Sequence, residues 1–104
     1  MKLKVGSLRL EDRYLYLGNS QPPIKLTPRE AHLLAILMQH PGQVVKRATL
    51  MKEVWQTDYL GDTRTLDVHI CWLRKKLEED PTRPRLILTQ RGVGYELNVP
   101  EAVR

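Results

Sequence analysis

Apolar residues recur at helical spacing in residues 63–79, a stretch that contains neither proline nor glycine. They occupy positions i, i+4, i+7 and i+11, which share one stripe of an α-helix: Leu66, Ile70, Leu73 and Leu77. The opposite side is mixed in chemistry: Arg64, Val68, Cys71, Trp72 and Lys75. Polar side chains lie on the two flanks: Arg74 on one, and Thr65, His69 and Lys76 on the other. Such a helix suits a DNA major groove, with its front at the base edges and its flanks at the phosphates. An ordinary amphipathic surface helix explains the same pattern when this stretch is considered alone.

Residues 3–26 alternate between apolar and polar side chains with a period of two, in short runs around Leu8, Tyr14 and Ile24. Turn-forming residues separate these runs. We predict a small antiparallel sheet with one solvated face. Residues 22–23 are both proline, and they are expected to prevent further strand pairing at the edge beside the last run.

The next element has several agreeing marks of a helix start. Thr27 is a favoured N-cap residue, Pro28 suits the first helical position, and Glu30 completes a capping box with Thr27. The residues that follow, as far as Met38, are apolar on most sides and predict the central helix of the core. The Pro-Gly pair at residues 41–42 is expected to end it.

Two further helices form a predicted helix-turn-helix. Residues 44–45 are read as a short extended link to a poorly capped second helix over residues 47–55, which would bury Trp55. After a loop, Asp62 or Thr63 is expected to cap the third helix.

Acidic residues on the third helix receive two predictions. Asp67, on a flank, is expected to pair with Arg64 or Arg74 and to orient it. Residues 78–80 are all acidic and oppose the dipole at the C-terminal end of the helix. Phosphate would repel that end, so we expect it to point away from DNA.

Two strand-like runs near the C-terminus surround a glycine-containing turn. The runs cover residues 86–89 and 95–97, and Gly92 and Gly94 would both supply the positive φ angles of a tight hairpin. Arg91 would lie near the tip. An exposed turn arginine is usually only solvated, but beside a groove-binding helix it becomes a candidate for the minor groove.

Composition fits a single globular domain with an anionic partner. The chain has 104 residues, a net charge of +5 and a pI of about 9.6, which favours a polyanion weakly. Its one cysteine, Cys71, excludes an internal disulfide and fits a reducing cytoplasm. Neither a signal peptide nor a membrane-spanning stretch is evident in the sequence.

The motifs of the third helix and the hairpin together resemble the winged-helix effector domain of the OmpR/PhoB response-regulator family. The resemblance rests on DTRTLDVHICWLRKKLE followed by LILTQRGVGYEL, and on LTPREAHLLAILMQHPGQVVKRATLMKEVW for the first two helices. It implies an α+β winged helix-turn-helix domain across residues 1–104. The expected parts are an N-terminal sheet over 3–26, three helices over 28–79 and a hairpin wing over 86–98.

The resemblance also implies roles for individual residues. Positions that face the major groove are matched by Arg64, Val68, Cys71, Trp72 and Lys75. Positions that contact the DNA backbone are matched by Trp55, Thr65, His69, Arg74, Lys76, Thr89 and Tyr95. Arg91 matches the wing arginine that enters the minor groove. A loop that relatives use to touch RNA polymerase is matched by Gln56, Thr57, Asp58, Tyr59, Leu60, Gly61 and Asp62.

The same resemblance implies partners. Family members commonly bind double-stranded DNA in tandem on direct repeats, under the control of a receiver domain. The expected states are a monomer in isolation and a tandem dimer on DNA. The chain contains no receiver-like α/β repeat, so it is read as an excised effector domain or a stand-alone regulator.

Two departures from the family pattern concern specificity. Cys71 and Trp72 stand where many relatives carry at least one arginine, and neither provides bidentate readout of guanine. Trp72 would pack on thymine methyl groups or sugars, or cover the edge of the core. Gln90 replaces the usual apolar residue before Arg91, which is expected to move the hairpin tip.

Other function classes are less well supported by the sequence. The three histidines lack metal-ligand spacing, no nucleophile lies beside a base, and neither an enzyme nor a cofactor is expected. Single-stranded nucleic acid usually requires an aromatic platform, whereas the aromatic residues here are scattered along the chain. The main alternative to DNA binding is a winged-helix module that binds protein through an apolar patch at Val68, Cys71 and Trp72.

Overall fold

The structure is a computed structural model that describes residues 2–18 and 22–99. It begins with an antiparallel sheet of four short strands. The strands follow one another in space in chain order: β1 (Lys2–Val5), β2 (Leu8–Glu11), β3 (Tyr14–Tyr16) and β4 (Ile24–Lys25). Leu10 and Leu15 are paired across the sheet and face the core, whereas Arg9 and Tyr14 face solvent. The sheet with one solvated face is therefore confirmed. Its first strand adds to the three predicted runs.

The central helix is α1 (Pro28–Met38), and its capping box is present. The Glu30 N–H donates to Thr27 Oγ1 at 3.2 Å, and the Thr27 N–H donates to Glu30 Oε1 at 2.8 Å. Apart from Pro28, Arg29 and His32, every residue of α1 is buried. The helix packs on β1, on the wing and on both later helices, which places it at the middle of the core.

The second helix, α2 (Arg47–Trp55), and the third, α3 (Arg64–Leu77), complete the three-helix core. The predicted stripe of α3 is buried along its whole length. The side chain of Thr63 makes no cap bond, and Asp62 Oδ1 instead accepts the Arg64 N–H at 3.1 Å.

The wing is a three-stranded sheet in the order β5–β7–β6, formed by β5 (Val44–Lys46), β6 (Ile87–Gln90) and β7 (Gly94–Leu97). The interpretation of residues 44–45 as a link was wrong, because they pair with β7. A run of two valines is too short to show a period, and only packing brings the open edge of β7 beside it.

The two wing glycines have different roles. Gly92 has a φ of +77° and makes the turn, as predicted. Gly94 does not have a positive φ, so that part of the prediction was wrong. A Cβ at Gly94 would collide with the carbonyl oxygen of Val45, so glycine is required there by the close approach of β5.

Candidate nucleic-acid interface

The outward face of α3 is exposed along the middle of the helix. Val68 and Trp72 are 42% and 44% exposed, and Cys71 and Lys75 also lie at the surface. Lys75 makes no hydrogen bond or ion pair with any described residue. The face that periodicity assigns to the outside is thus open to a partner.

Arg64, at the start of α3, is held by the residue before its cap. Its Nε and Nη2 donate to Asp62 Oδ1 and Oδ2 at 2.9 and 2.7 Å, although the arginine side chain is 86% exposed. Hydrogen bonding from Arg64 lowers the pKa of Asp62 to about 2, so Asp62 is ionised near neutral pH. Any anion that binds Arg64 must compete with this carboxylate.

Three aromatic rings form a row along one flank of α3. The His69 ring lies 5.0 Å from Trp55 and 4.9 Å from Trp72, between centroids. His69 Nδ1 is 2.7 Å from the Thr65 carbonyl oxygen. Because a carbonyl only accepts, Nδ1 carries the proton and donates. Trp55 packs against the core but is only partly buried, not fully buried as the sequence suggested. The Arg29 guanidinium lies 5.5 Å from the centroid of its ring.

Asp67 joins α3 to α2 and the wing. Its carboxylate accepts from Arg47 Nη1 and Nη2 at 2.7 and 3.0 Å, and from the Tyr95 hydroxyl at 2.6 Å. The prediction that Asp67 pairs with Arg64 or Arg74 was therefore wrong. Helical spacing permits both of those pairs, but the packing of α3 turns the Asp67 flank towards the start of α2 and β7.

Two predicted backbone contacts, Arg74 and Lys76, are engaged within the protein. Arg74 Nη2 donates to the Ile87 carbonyl at 2.9 Å and to Thr89 Oγ1 at 2.7 Å. Lys76 Nζ lies 2.5 Å from Glu30 Oε1, a carboxylate that is only 1% exposed. Lys76 neutralises a buried charge, whereas Arg74 holds the wing against α3.

The wing hairpin lies along α3. Arg74 contacts β6 and Asp67 contacts Tyr95 in β7, and these two helix residues are separated by about 10 Å of helix axis. Arg91 is exposed at the hairpin turn and makes no hydrogen bond or ion pair with any described residue. Beside it, Gln90 Nε2 donates to Glu96 Oε1 at 2.6 Å. The wing is therefore fixed to α3 with Arg91 unpaired.

The loop between α2 and α3, residues 56–62, is largely exposed and begins at Gln56 with a φ of +55°. Tyr59 is 69% exposed and Leu60 also lies at the surface. The Tyr59 N–H donates to Thr57 Oγ1 at 3.1 Å. The loop offers two apolar side chains next to the start of α3.

The sequence interpretation missed the role of Glu78, the residue that ends α3. Its buried carboxylate accepts the backbone N–H groups of Arg85, Leu86 and Ile87 at 2.8–3.1 Å. It thereby attaches the start of β6 to the end of α3. Glu79 and Asp80 are exposed. The only sign of this role in the sequence was the unfavourable position of an acidic residue at the C-terminal end of a helix, which suggests that the carboxylate has hydrogen-bond donors elsewhere.

Acid is expected to destabilise the fold through Asp67 and Glu30. Hydrogen bonds from Arg47 and Tyr95 lower the pKa of Asp67. Burial raises the pKa of Glu30, but bonds from Lys76 and Thr27 outweigh burial and lower it overall. A carboxyl whose pKa is depressed on folding stabilises the protein above its unfolded pKa of about 4, and that stabilisation is lost at lower pH. Urea unfolding should therefore give a free energy that is steady from pH 7 to pH 5 and falls below about pH 4.

Asp67→Asn provides the comparison for this prediction. The variant should be less stable at pH 7 and should lose part of the acid dependence. An unchanged acid dependence in Asp67→Asn would contradict the assignment to this carboxylate.

The part of the chain that the structure describes contains no group of three or more His, Cys, Asp or Glu side chains able to hold a metal ion. Within residues 2–18 and 22–99, no helix has the length and apolar character needed to cross a membrane.

Comparison with known proteins identifies close relatives. Residues 20–97 match the family described as "Transcriptional regulatory protein, C terminal". The chain is 45% identical over 96 residues to the sensory transduction protein RegX3 of Mycolicibacterium smegmatis, covering 91% of this chain and 42% of that protein. It is 43% identical over 102 residues to the alkaline phosphatase synthesis transcriptional regulatory protein PhoP of Bacillus subtilis, covering 96% and 42%. The chain thus spans about two fifths of the length of these relatives.

A solved structure of similar fold contains DNA. The DNA-binding domain of Klebsiella pneumoniae RstA, crystallised in complex with the RstA box, aligns with a TM-score of 0.82 and 33% sequence identity. The alignment covers 93% of this chain and 96% of that one.

Proposed function

Because this chain belongs to the family of C-terminal domains of OmpR/PhoB-type transcriptional regulatory proteins, we propose that it binds specific sequences in double-stranded DNA and regulates bacterial transcription. The family resemblance and the winged-helix fold inferred from the sequence are both confirmed. Members of this family are transcription regulators, which agrees with the expectation that the chain is not an enzyme.

The observation that carries the proposal is the joint placement of α3 and the wing. The outward face of α3 is open, and Arg74 and Asp67 hold the hairpin alongside it. In our proposal α3 lies in the major groove while Arg91 enters the adjacent minor groove. Narrow minor grooves concentrate negative potential, and Arg91 is a cation with no hydrogen bond or ion pair to any residue that the structure describes.

The proposed contacts divide by role. Base edges are met by the outward face of α3: Arg64, Val68, Cys71, Trp72 and Lys75. The DNA backbone is met by the flanks and the wing: Trp55, Thr65, His69, Arg74, Lys76, Thr89 and Tyr95. Several of these backbone contacts also have partners within the protein. Tyr95 is buried with its hydroxyl on Asp67, Arg74 donates to Thr89, and Lys76 neutralises Glu30.

Partners beyond the duplex belong to the same proposal. We infer a cytoplasmic regulator whose copies bind direct repeats in tandem, and whose 56–62 loop contacts RNA polymerase through Tyr59 and Leu60. A receiver domain in the same polypeptide is consistent with the length of RegX3 and PhoP, of which this chain matches only 42%.

Selection of bound duplexes from a random pool tests the proposed function. We expect an enriched half-site repeated at fixed spacing, and affinity that falls steeply with salt because each phosphate contact releases counterions. If no sequence is enriched and the affinity for duplex DNA does not change with salt, the alternative of a protein-binding module is favoured.

Asp62→Asn should strengthen DNA binding. The change removes a negative charge next to Arg64 and keeps the Oδ1 that accepts the Arg64 N–H. The affinity at low salt should rise by about twofold to fivefold, as expected for one exposed charge pair. Asp58→Asn is the matched control, since Asp58 lies in the same exposed loop without a bond to Arg64. Weaker binding by Asp62→Asn would instead show that Asp62 positions Arg64 for DNA.

A further inference from the structure

An apolar patch lies at the centre of the face that we assign to base contacts. Val68, Cys71 and Trp72 are all exposed and occupy positions i, i+3 and i+4 of α3, so their side chains are neighbours. The patch contains only a weak thiol donor and one indole N–H. Hydrogen-bond readout of guanine or adenine by paired donors and acceptors is therefore absent from the middle of this helix.

Trp72 is held in place on the surface and does not cover the core. Its ring packs on His69 with a tilt of 54°, and His69 in turn meets Trp55 edge-on at 80°. The bond from His69 Nδ1 to the Thr65 carbonyl fixes the middle ring of this row. Trp72 consequently has little rotational freedom to lose when a partner binds, and the patch is formed before the partner arrives.

Cationic side chains stand at both ends of the patch. Arg64 precedes Val68 by one helical turn, and Lys75 follows Trp72 by three residues, so the two cations are separated by about 16 Å along the axis. Both are exposed. An apolar centre between cationic ends suits a duplex groove better than an apolar protein surface, because the base edges in the groove present hydrogen-bond acceptors beside thymine methyl groups.

We propose that Val68, Cys71 and Trp72 bind the 5-methyl groups of thymines in the major groove, an inference that rests on the proposed function. The thymine methyl is the only apolar group that the four standard bases present in that groove. The patch thus selects thymine-containing sites by burying methyl groups. His69 is a positioning residue, which acts by holding the Trp72 ring.

The test replaces thymines in the selected duplex by deoxyuridine, one position at a time. This exchange removes only the methyl group and keeps every hydrogen-bonding atom. Parent protein should bind about threefold to fivefold more weakly when a contacted thymine loses its methyl, since one buried methyl contributes about as much as one methylene. We expect such losses at a few neighbouring positions and none elsewhere in the duplex.

Variants assign the methyl groups to side chains. In Trp72→Ala the loss caused by deoxyuridine should disappear at the positions that Trp72 contacts, and Val68→Ala should do the same at a neighbouring position. Lys75→Ala is the matched control. It removes a proposed base contact that is not part of the apolar patch, so it should weaken binding and leave the thymine-to-deoxyuridine ratio unchanged. His69→Ala should lower that ratio at the Trp72 positions only.

The outcomes separate this proposal from the function on which it rests. An enriched duplex that tolerates deoxyuridine at every position overturns methyl recognition and leaves DNA binding intact. A loss that persists in Val68→Ala, in Trp72→Ala and in Cys71→Ser also overturns it. Failure to enrich any duplex overturns the proposed function, and methyl recognition with it; the patch would then be a protein-binding surface.

Discussion

Replacing Glu78 with alanine should lower the free energy of unfolding by about 2–4 kcal/mol, because the buried N–H of Ile87 left unpaired costs about 1–3 kcal/mol and the partly buried N–H groups of Arg85 and Leu86 also lose their acceptor. Glu78 is buried and accepts bonds from the N–H groups of three consecutive residues, the last of which begins β6. Chemical denaturation of parent and variant provides the measurement.

Glu79→Ala is the matched control for Glu78→Ala. Glu79 is the next residue, carries the same charge and is exposed, so its loss should change stability by less than about 0.5 kcal/mol. Glu78→Gln is a finer comparison. It keeps the length of the side chain but replaces one acceptor oxygen with an amide NH2, which cannot accept hydrogen bonds from the backbone N–H groups. Equal stability of Glu78→Ala and Glu79→Ala would show that the hydrogen bonds to the Glu78 carboxylate contribute nothing to the free energy of unfolding.

The effect of Glu78 should extend to DNA binding. Its carboxylate attaches the end of α3 to the start of β6, so its removal weakens the connection between the helix and the hairpin that carries Arg91. We expect Glu78→Ala, under conditions where it is folded, to bind less tightly to a duplex that both elements contact.

Replacing Arg91 with alanine should weaken binding to the selected duplex by about 10-fold to 100-fold, the range expected for charge-assisted hydrogen bonds inside a groove. The loss should be largest when the sequence beside the half-site is rich in A·T pairs, whose narrow minor groove has the strongest negative potential. Titration of duplexes that differ only in that flank measures both effects.

Arg83→Ala controls for the loss of one positive charge. Arg83 is exposed in the loop after α3 and lines a cleft with Leu17 and Ile24, beside the N-terminal sheet and away from the wing tip. Its replacement should cause a small loss that does not depend on flanking sequence. If Arg91→Ala binds as tightly as the parent, or loses equally on every flank, Arg91 does not enter the minor groove.

The helices and their exposed faces could be predicted because the information is local. The spacing of Leu66, Ile70 and Leu73 specifies the buried side of α3 wherever that helix packs. The capping box at Thr27 and Glu30 likewise involves residues three apart, and the structure contains it as predicted.

Partners distant in the chain could not be predicted in the same way. Asp67 has arginines at helical spacing on its own helix, yet its carboxylate binds Arg47 and Tyr95, which are 20 and 28 residues away. Strand β5 becomes a strand only because β7 offers an unpaired edge, and Gly94 is required only because β5 approaches so closely.

The three helices, the solvated sheet face, the hairpin turn and the family could all be predicted, since each depends on residue spacing within one segment or on a specific motif. Only packing between segments shows which charged side chains have partners in the protein. Arg91 and Lys75 have no polar partner within residues 2–18 and 22–99. Arg74 and Lys76 are engaged, and Glu78 and Asp67 join α3 to the wing. These pairings depend on how segments pack against one another, and no local spacing encodes that.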